Sequence, residues 1–209
     1  LKLKEIDSDT SSLEEKLSAD REYGWAKLMS EIQLRSFHKQ YGLKCCPLRF
    51  VTAYGPRENE THAIIALIYK AVEKIDPYPI WGDGNQERDF TYVEDIIDGC
   101  LLAAEKPIND GTPINLGTGT RYKIKEVVEM ICEILNWRPK EFAFEKDKPV
   151  GVLSRALDNS KAKELLGWEP KFSLKEGLGK TIEWYLKNLK YYSSKQRKKF
   201  DKRLGLIND

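Results

Sequence analysis

The apolar periodicity of this chain switches repeatedly between two values, and that switching restricts the fold more than any other feature. Segments with apolar residues three and four apart alternate with short apolar or two-residue-period runs. Strands that alternate with helices build α/β layers on a parallel sheet. The pattern predicts helices over Arg21–Tyr41, Thr61–Ile75, Glu94–Lys106, Ile124–Leu135, Ser160–Leu166 and Leu174–Leu189. It predicts strands over Leu43–Val51, Pro79–Trp81, Arg88–Val93, Thr112–Leu116 and Phe142–Phe144. Gly42 and Gly167 stand where helices stop, and Pro77 and Pro79 are expected to end the second helix. Thr52–Asn59, with Gly55 and Pro56, reads as a loop. The buried stripe of the first helix is expected to hold Ala26, Leu28, Met29, Ile32 and Phe37. That of Glu94–Lys106 is expected to hold Ile97, Cys100, Leu101 and Ala104. These strands are too few for a whole doubly wound sheet. They read as the second half of a doubly wound parallel sheet plus a small α/β capping lobe.

Composition narrows the function classes. With 41% hydrophobic and 33% charged residues the chain has an ordinary soluble make-up. No apolar run reaches the roughly 18 residues that span a bilayer. Leu1–Asp20 is polar, reads as loop with a short helix at Leu13–Leu17, and contains no signal-peptide core. The expectation is a cytoplasmic protein without a membrane partner. A net charge of +2 gives no reason to expect nucleic acid. The basic excess sits in residues 190–209, with seven Lys or Arg against Asp201 and Asp209, as in a solvated tail. Cys45, Cys46, Cys100 and Cys132 lack zinc-type spacing and are expected to be buried and reduced. His38 and His62 are read as a helix-surface and a loop residue, so no metal is expected.

The sharpest local signal is Tyr23-Gly24-Trp25-Ala26-Lys27. Residues four apart share one helix face. An ammonium beside a phenol favours the phenolate, as a base for an alcohol proton requires. Alone, such a pair is common on helix surfaces. Four further blocks follow it in order: Pro47-Leu48-Arg49-Phe50 with Tyr54-Gly55-Pro56-Arg57; Trp81 to Asp95, including Arg88-Asp89-Phe90; Asn115-Leu116-Gly117-Thr118-Gly119; and Arg155-Ala156-Leu157-Asp158 with Leu166-Gly167-Trp168-Glu169-Pro170. Together these resemble the extended short-chain dehydrogenase/reductases, the NAD-dependent sugar-nucleotide epimerases and dehydratases, from about Tyr23 to Leu189.

The resemblance implies roles. Tyr23 is the implied base and Lys27 its partner on the nicotinamide ribose. Pro47 and Tyr54 flank the nicotinamide of NAD or NADP. Thr52, Arg88 and Arg155 bind the nucleotide-sugar substrate, the two arginines on its diphosphate. A guanidinium fork matches phosphate oxygens in pairs, which supports that assignment. Ordinary alternatives are ion pairs of Arg88 with Asp89 or Glu87, and of Arg155 with Asp158. Gly82, Gly84, Gly117 and Gly119 read as turn residues rather than a phosphate cradle, Asp95 as a helix-start acid, and Trp168 as a packing anchor. The implied activity is epimerisation through a transient ketone. Dehydration or decarboxylation in the same family is the alternative, as is a non-catalytic sugar-nucleotide-binding fragment. The family pairs subunits through the helix bearing Tyr-xxx-Lys, so a homodimer is implied.

Two departures qualify the pattern. Thr52 stands where many relatives place Asn, and no glycine-rich dinucleotide fingerprint precedes Tyr23. The expected organisation is a leader over 1–20 and Rossmann elements over 21–60. A substrate lobe then takes 61–93 and 120–189, a return to the Rossmann core takes 94–119, and the tail takes 190–209. The N-terminal half of the family's fold is expected to lie outside this sequence. The 209-residue chain alone should therefore bind NAD(P) weakly or not at all; micromolar affinity by calorimetry would show that the cofactor site has been misplaced.

Overall fold

The structure, a computed structural model, describes residues 21–106, 108 and 110–189. The expectations for 1–20 and for the basic tail lie outside the described residues. The elements are α1 (Arg21–Tyr41), β1 (Leu48–Phe50), β2 (Thr52–Tyr54), α2 (Ala63–Val72), β3 (Tyr78–Trp81), β4 (Glu87–Arg88), β5 (Phe90–Tyr92) and α3 (Val93–Glu105). There follow β6 (Ile114–Leu116), β7 (Tyr122–Lys123), α4 (Ile124–Ile134), β8 (Phe142–Glu145), β9 (Ser154–Arg155), a π-helical turn at Ala162–Leu166 and α5 (Leu174–Lys187). They gather into two compact units. The first takes 21–53, 87–122 and 154–172, and the second 54–86, 123–153 and 173–189. Residues 87–93 and 154–172, grouped by sequence with the lobe, cluster with the first unit.

In the first unit β1 and β6 run parallel, with Leu48, Arg49 and Phe50 opposite Ile114, Asn115 and Leu116. Ile114 and Leu116 are fully buried and pack with Ile96, Ala103, Ala162, Leu166 and Trp168. Burial of each Ile and Leu side chain in this cluster contributes about 1.5–3 kcal/mol. The expected stripe of α3 is wrong by about one residue. Ile97 and Leu101 are half exposed, while Ile96, Gly99 and Ala103 face inward. Gly99 decides the rotation: a Cβ there would lie 2.6 Å from Leu116 and 3.1 Å from the Trp168 indole nitrogen. The backbone of α3 approaches β6 too closely for any side chain at that position. On α1, Leu28 is buried, but Met29 and Phe37 from the predicted stripe are half exposed. Gly42, at φ +70°, ends that helix as expected.

The second unit packs α2, α4 and α5 around Ile64, Ile65, Ile68, Val127, Val128, Ile131, Leu178 and Ile182, all nearly or fully inaccessible. β3 and β8 are parallel, Tyr78 opposite Phe142 and Trp81 opposite Glu145. A capping box starts α5, with Glu176 N donating to Ser173 Oγ and Ser173 N to Glu176 Oε2. The prolines do not end α2. The helix closes at Val72, and Lys74 adopts a left-handed φ of 54° before Pro77 is reached.

One residue of this unit breaks the usual burial rule. Lys70 is 3% exposed, donates to the Pro79 carbonyl at 2.8 Å, and lies 5.8 Å from the centre of the Tyr78 ring. Burial lowers its ammonium from 10.5 to about 8, against the opposing pull of Glu145. A folded pKa below the unfolded one means that Lys70 costs stability at neutral pH, and that this cost is withdrawn as pH rises from about 8 to about 10.5. The thermal midpoint should therefore rise across that window relative to Lys70→Met, which lacks the titration. Parallel pH curves for the two proteins would show that this burial carries no energetic weight.

Candidate functional site

Tyr23 and Lys27 lie one turn apart on α1, with the Lys27 ammonium 5.5 Å from the centre of the Tyr23 ring. Tyr23 is 76% exposed. The helix that carries them is anchored further along. Arg49 of β1 donates from Nε at 2.7 Å and Nη2 at 2.6 Å to the two carboxylate oxygens of Glu31. Glu31 is only 8% exposed, and a bidentate charge-assisted pair in such a place sets rotation as well as position. The Cys45 thiol adds a contact to the Leu34 carbonyl.

Pro47 is buried and its carbonyl accepts from Ile114 N at 2.9 Å, continuing the β1–β6 ladder. Thr52 is half-buried in β2, in a stretch that the sequence reads as loop. Tyr54 falls in the second unit, 2% exposed, and its hydroxyl donates to the Leu174 carbonyl at 3.2 Å.

Arg88 and Arg155 meet, although 66 intervening residues separate them in sequence. β4 and β9 run parallel with Arg88 directly opposite Arg155 and Glu87 opposite Ser154. Ser154 Oγ donates to Glu87 Oε2 at 2.8 Å, and Arg88 Nη1 donates to the Glu87 carbonyl at 2.6 Å. Burial lowers the Arg88 pKa first, and the positive charge of Arg155 lowers it further. Two guanidinium groups at opposed positions of one ladder form a doublet suited to an anion with two phosphoryl groups.

The predicted strand Arg88–Val93 is broken at Asp89, and the break explains how the doublet is held. The Asp89 side chain is 1% exposed. Its Oδ1 accepts from Thr118 N at 3.1 Å and Thr118 Oγ1 at 2.6 Å, and its Oδ2 from Gly119 N at 3.0 Å and Leu157 N at 3.3 Å. The Gly117–Gly119 turn therefore directs its N–H groups at an internal carboxylate. A Cβ on Gly117 would come within 2.9 Å of Asp89 Oδ2. Sequence reading offered Asp89 only as an ion-pair partner for Arg88. An acid isolated between strand residues was the one available signal for its actual work.

Asp95 lies in the first turn of α3, as expected, and does more than start the helix. Its carboxylate accepts from Lys171 N at 2.9 Å and Phe172 N at 3.3 Å, while its carbonyl accepts from the Trp168 indole at 2.9 Å. Burial pushes its pKa up against those two N–H donors. Trp168 is a buried anchor, as expected. His38 Nδ1 lies 2.8 Å from the Leu43 carbonyl, and His62 precedes α2 with Nδ1 3.2 Å from Glu58. All four thiols are free; Cys132 is buried, and Cys45, Cys46 and Cys100 are half-buried rather than buried as expected. Among the described residues no group of three or more His, Cys, Asp or Glu could hold a metal ion. No described helix is long and apolar enough to cross a membrane.

Parallel α/β pairing and a Tyr-xxx-Lys helix fit a Rossmann-type fold, and the comparisons give the family. The profile of the NAD dependent epimerase/dehydratase family matches residues 2–117, and the chain belongs to that family. It is 35% identical over 173 residues to the UDP-glucuronate 4-epimerase of Thermodesulfobacterium geofontis, covering 82% of this chain and 52% of that protein. It is 33% identical over 175 residues to a dTDP-glucose 4,6-dehydratase of Xanthomonas campestris, covering 79% and 49%. Its fold matches the UDP-glucose 4-epimerase of Thermotoga maritima, solved with UDP-glucose, with a TM-score of 0.74 at 36% identity over 80% of this chain and 54% of that one. It also matches the dTDP-glucose 4,6-dehydratase of Bacillus anthracis, solved with NAD, with a TM-score of 0.77 at 26% identity, covering 90% and 61%. The chain spans about half the length of the curated relatives it matches.

Proposed function

We propose that this chain is the part of a sugar-nucleotide epimerase that supplies the proton-transfer pair and the diphosphate clamp. The observation that carries the reading is the doublet of Arg88 and Arg155, aligned by β4 and β9 in a chain that also presents Tyr23 and Lys27 on one helix face. The exposed edge of Tyr23 and the adjacent ammonium fit a nicotinamide ribose and a sugar hydroxyl better than they fit a packed core. NAD, when bound, supplies the hydride acceptor; NADP is the variant of the same chemistry. Tyr23 Oη takes the proton of the sugar hydroxyl, and Lys27 donates to the ribose hydroxyls. Pro47 flanks the nicotinamide end. Thr52 contacts the sugar, and Arg88 and Arg155 hold the diphosphate.

Epimerisation is the preferred outcome, in line with the likeness to a UDP-glucuronate 4-epimerase and a UDP-glucose 4-epimerase. Dehydration is the second reading, supported by comparable likeness to dTDP-glucose 4,6-dehydratases. The setting proposed is cytoplasmic.

In the complete protein, Tyr23→Phe should lower turnover by about 10²–10⁴ with little change in substrate affinity, since a general base contributes that much. Lys27→Ala should also lower turnover. Arg88→Ala should act mainly on substrate binding, weakening it by about tenfold or more, as loss of a charge-assisted bond does. Steady-state kinetics of the three variants reads the contrast. A Tyr23→Phe enzyme within about twofold of the parent would reduce the pair to a surface coincidence.

A homodimer through α1 is part of the same proposal, supported by Trp25, Met29 and Phe37, each about half exposed on that helix. Sedimentation at micromolar concentration should give a dimer or a larger species. A clean monomer would remove α1 as an interface.

A further inference from the structure

We infer that Asp89 is a positioning residue for the arginine doublet, setting the spacing of Arg88 and Arg155 through the main chain on both sides. The inference rests on the proposal that the two arginines bind a diphosphate.

β4 and β9 are two residues long, and a ladder that short specifies register weakly. Asp89 follows Arg88 directly. Its N–H donates to the Arg155 carbonyl at 3.0 Å, and its Oδ2 accepts from Leu157 N at 3.3 Å. One residue therefore holds the strand of Arg155 from both sides of its peptide path. The same carboxylate is itself fixed by Thr118 N, Thr118 Oγ1 and Gly119 N. The Gly117–Gly119 turn is tied down in its turn by Asn159, which donates to the Gly117 carbonyl at 2.9 Å. The network thus links Arg88, the glycine turn and residues 155–159. A clamp needs fixed spacing, because a misplacement of about 1 Å can cost as much as 10²-fold.

The charge of Asp89 provides a test by sign. If this carboxylate acted only as a nearby negative charge, its removal would strengthen binding of an anion. If it positions the arginines, its removal weakens binding. Asp89→Asn keeps the size but turns an NH₂ group toward N–H donors that need an acceptor.

The test uses the 209-residue chain and two probes, inorganic pyrophosphate and inorganic phosphate, titrated by calorimetry. The parent should prefer pyrophosphate, and Arg88→Ala and Arg155→Ala should abolish the preference. Asp89→Asn should weaken pyrophosphate at least about tenfold and collapse the ratio of the two affinities, with the binding stoichiometry unchanged. A merely structural role would lower the stoichiometry and leave the ratio intact. Should Asp89→Asn fail to fold, Thr118→Ala removes one donor from the same carboxylate and should shift the ratio in the same direction, with Thr118→Ser restoring it. Arginine-dependent binding that Asp89→Asn or Thr118→Ala leaves unchanged, or strengthens, overturns the role of Asp89 alone. Pyrophosphate binding that is absent, or indifferent to both arginines, overturns the diphosphate reading and the inference with it.

Discussion

Two carboxylates with 1% exposure, Asp89 and Asp95, are the constraint on which the first unit depends. A buried carboxylate must find donors, because an unmet one costs several kcal/mol. Both find them chiefly in main-chain N–H groups far along the sequence. Asp89 draws in 118–119 and 157, and Asp95 draws in 171–172. They stand just before and just after β5, so a three-residue strand becomes the tie point for two distant stretches of chain. Apolar burial of Ile114, Leu116 and Trp168 drives collapse without direction. The carboxylates add the direction, because their oxygens accept only along defined lines.

What could be read from sequence follows from the range of the forces involved. The order of elements was legible because helix and strand periods are local. So was the Tyr23–Lys27 face, which needs only one helical turn. Where the reading failed, a distant partner had decided the matter. The inward face of α3 is set by Leu116 and Trp168 against Gly99, and no periodicity within Glu94–Lys106 encodes them. The break at Asp89 is set by donors near residues 118 and 157. The pairing of Arg88 with Arg155 could be anticipated only through family resemblance, since nothing in the local sequence of either arginine points to the other. Lys70 gave no signal either. A lysine on a helix is normally a solvated residue, and its burial follows from β3 lying across it.

The arginine doublet makes sense only when stability and binding are considered together. Like charges directly opposite on a ladder work against the fold, and Arg155 adds to burial in lowering the Arg88 pKa. Such an arrangement persists when the surrounding structure over-determines it. Here the surroundings do so with hydrogen bonds to two carboxylates: Glu87 accepts from the Ser154 hydroxyl, and Asp89 from main-chain N–H groups and the Thr118 hydroxyl. Because the Asp89 oxygens are filled by donors from the turn and from Leu157, the carboxylate acts as a fastener more than as a counter-ion for the doublet. The proposed ligand, an anion with two phosphoryl groups, would relieve the repulsion between the guanidinium groups, so part of its binding free energy would be stored in the folded chain beforehand. The same repulsion would spread the two side chains apart if β4 and β9 could slip by a residue. Holding that register is therefore a condition for the proposed clamp, and the buried polar network would meet it.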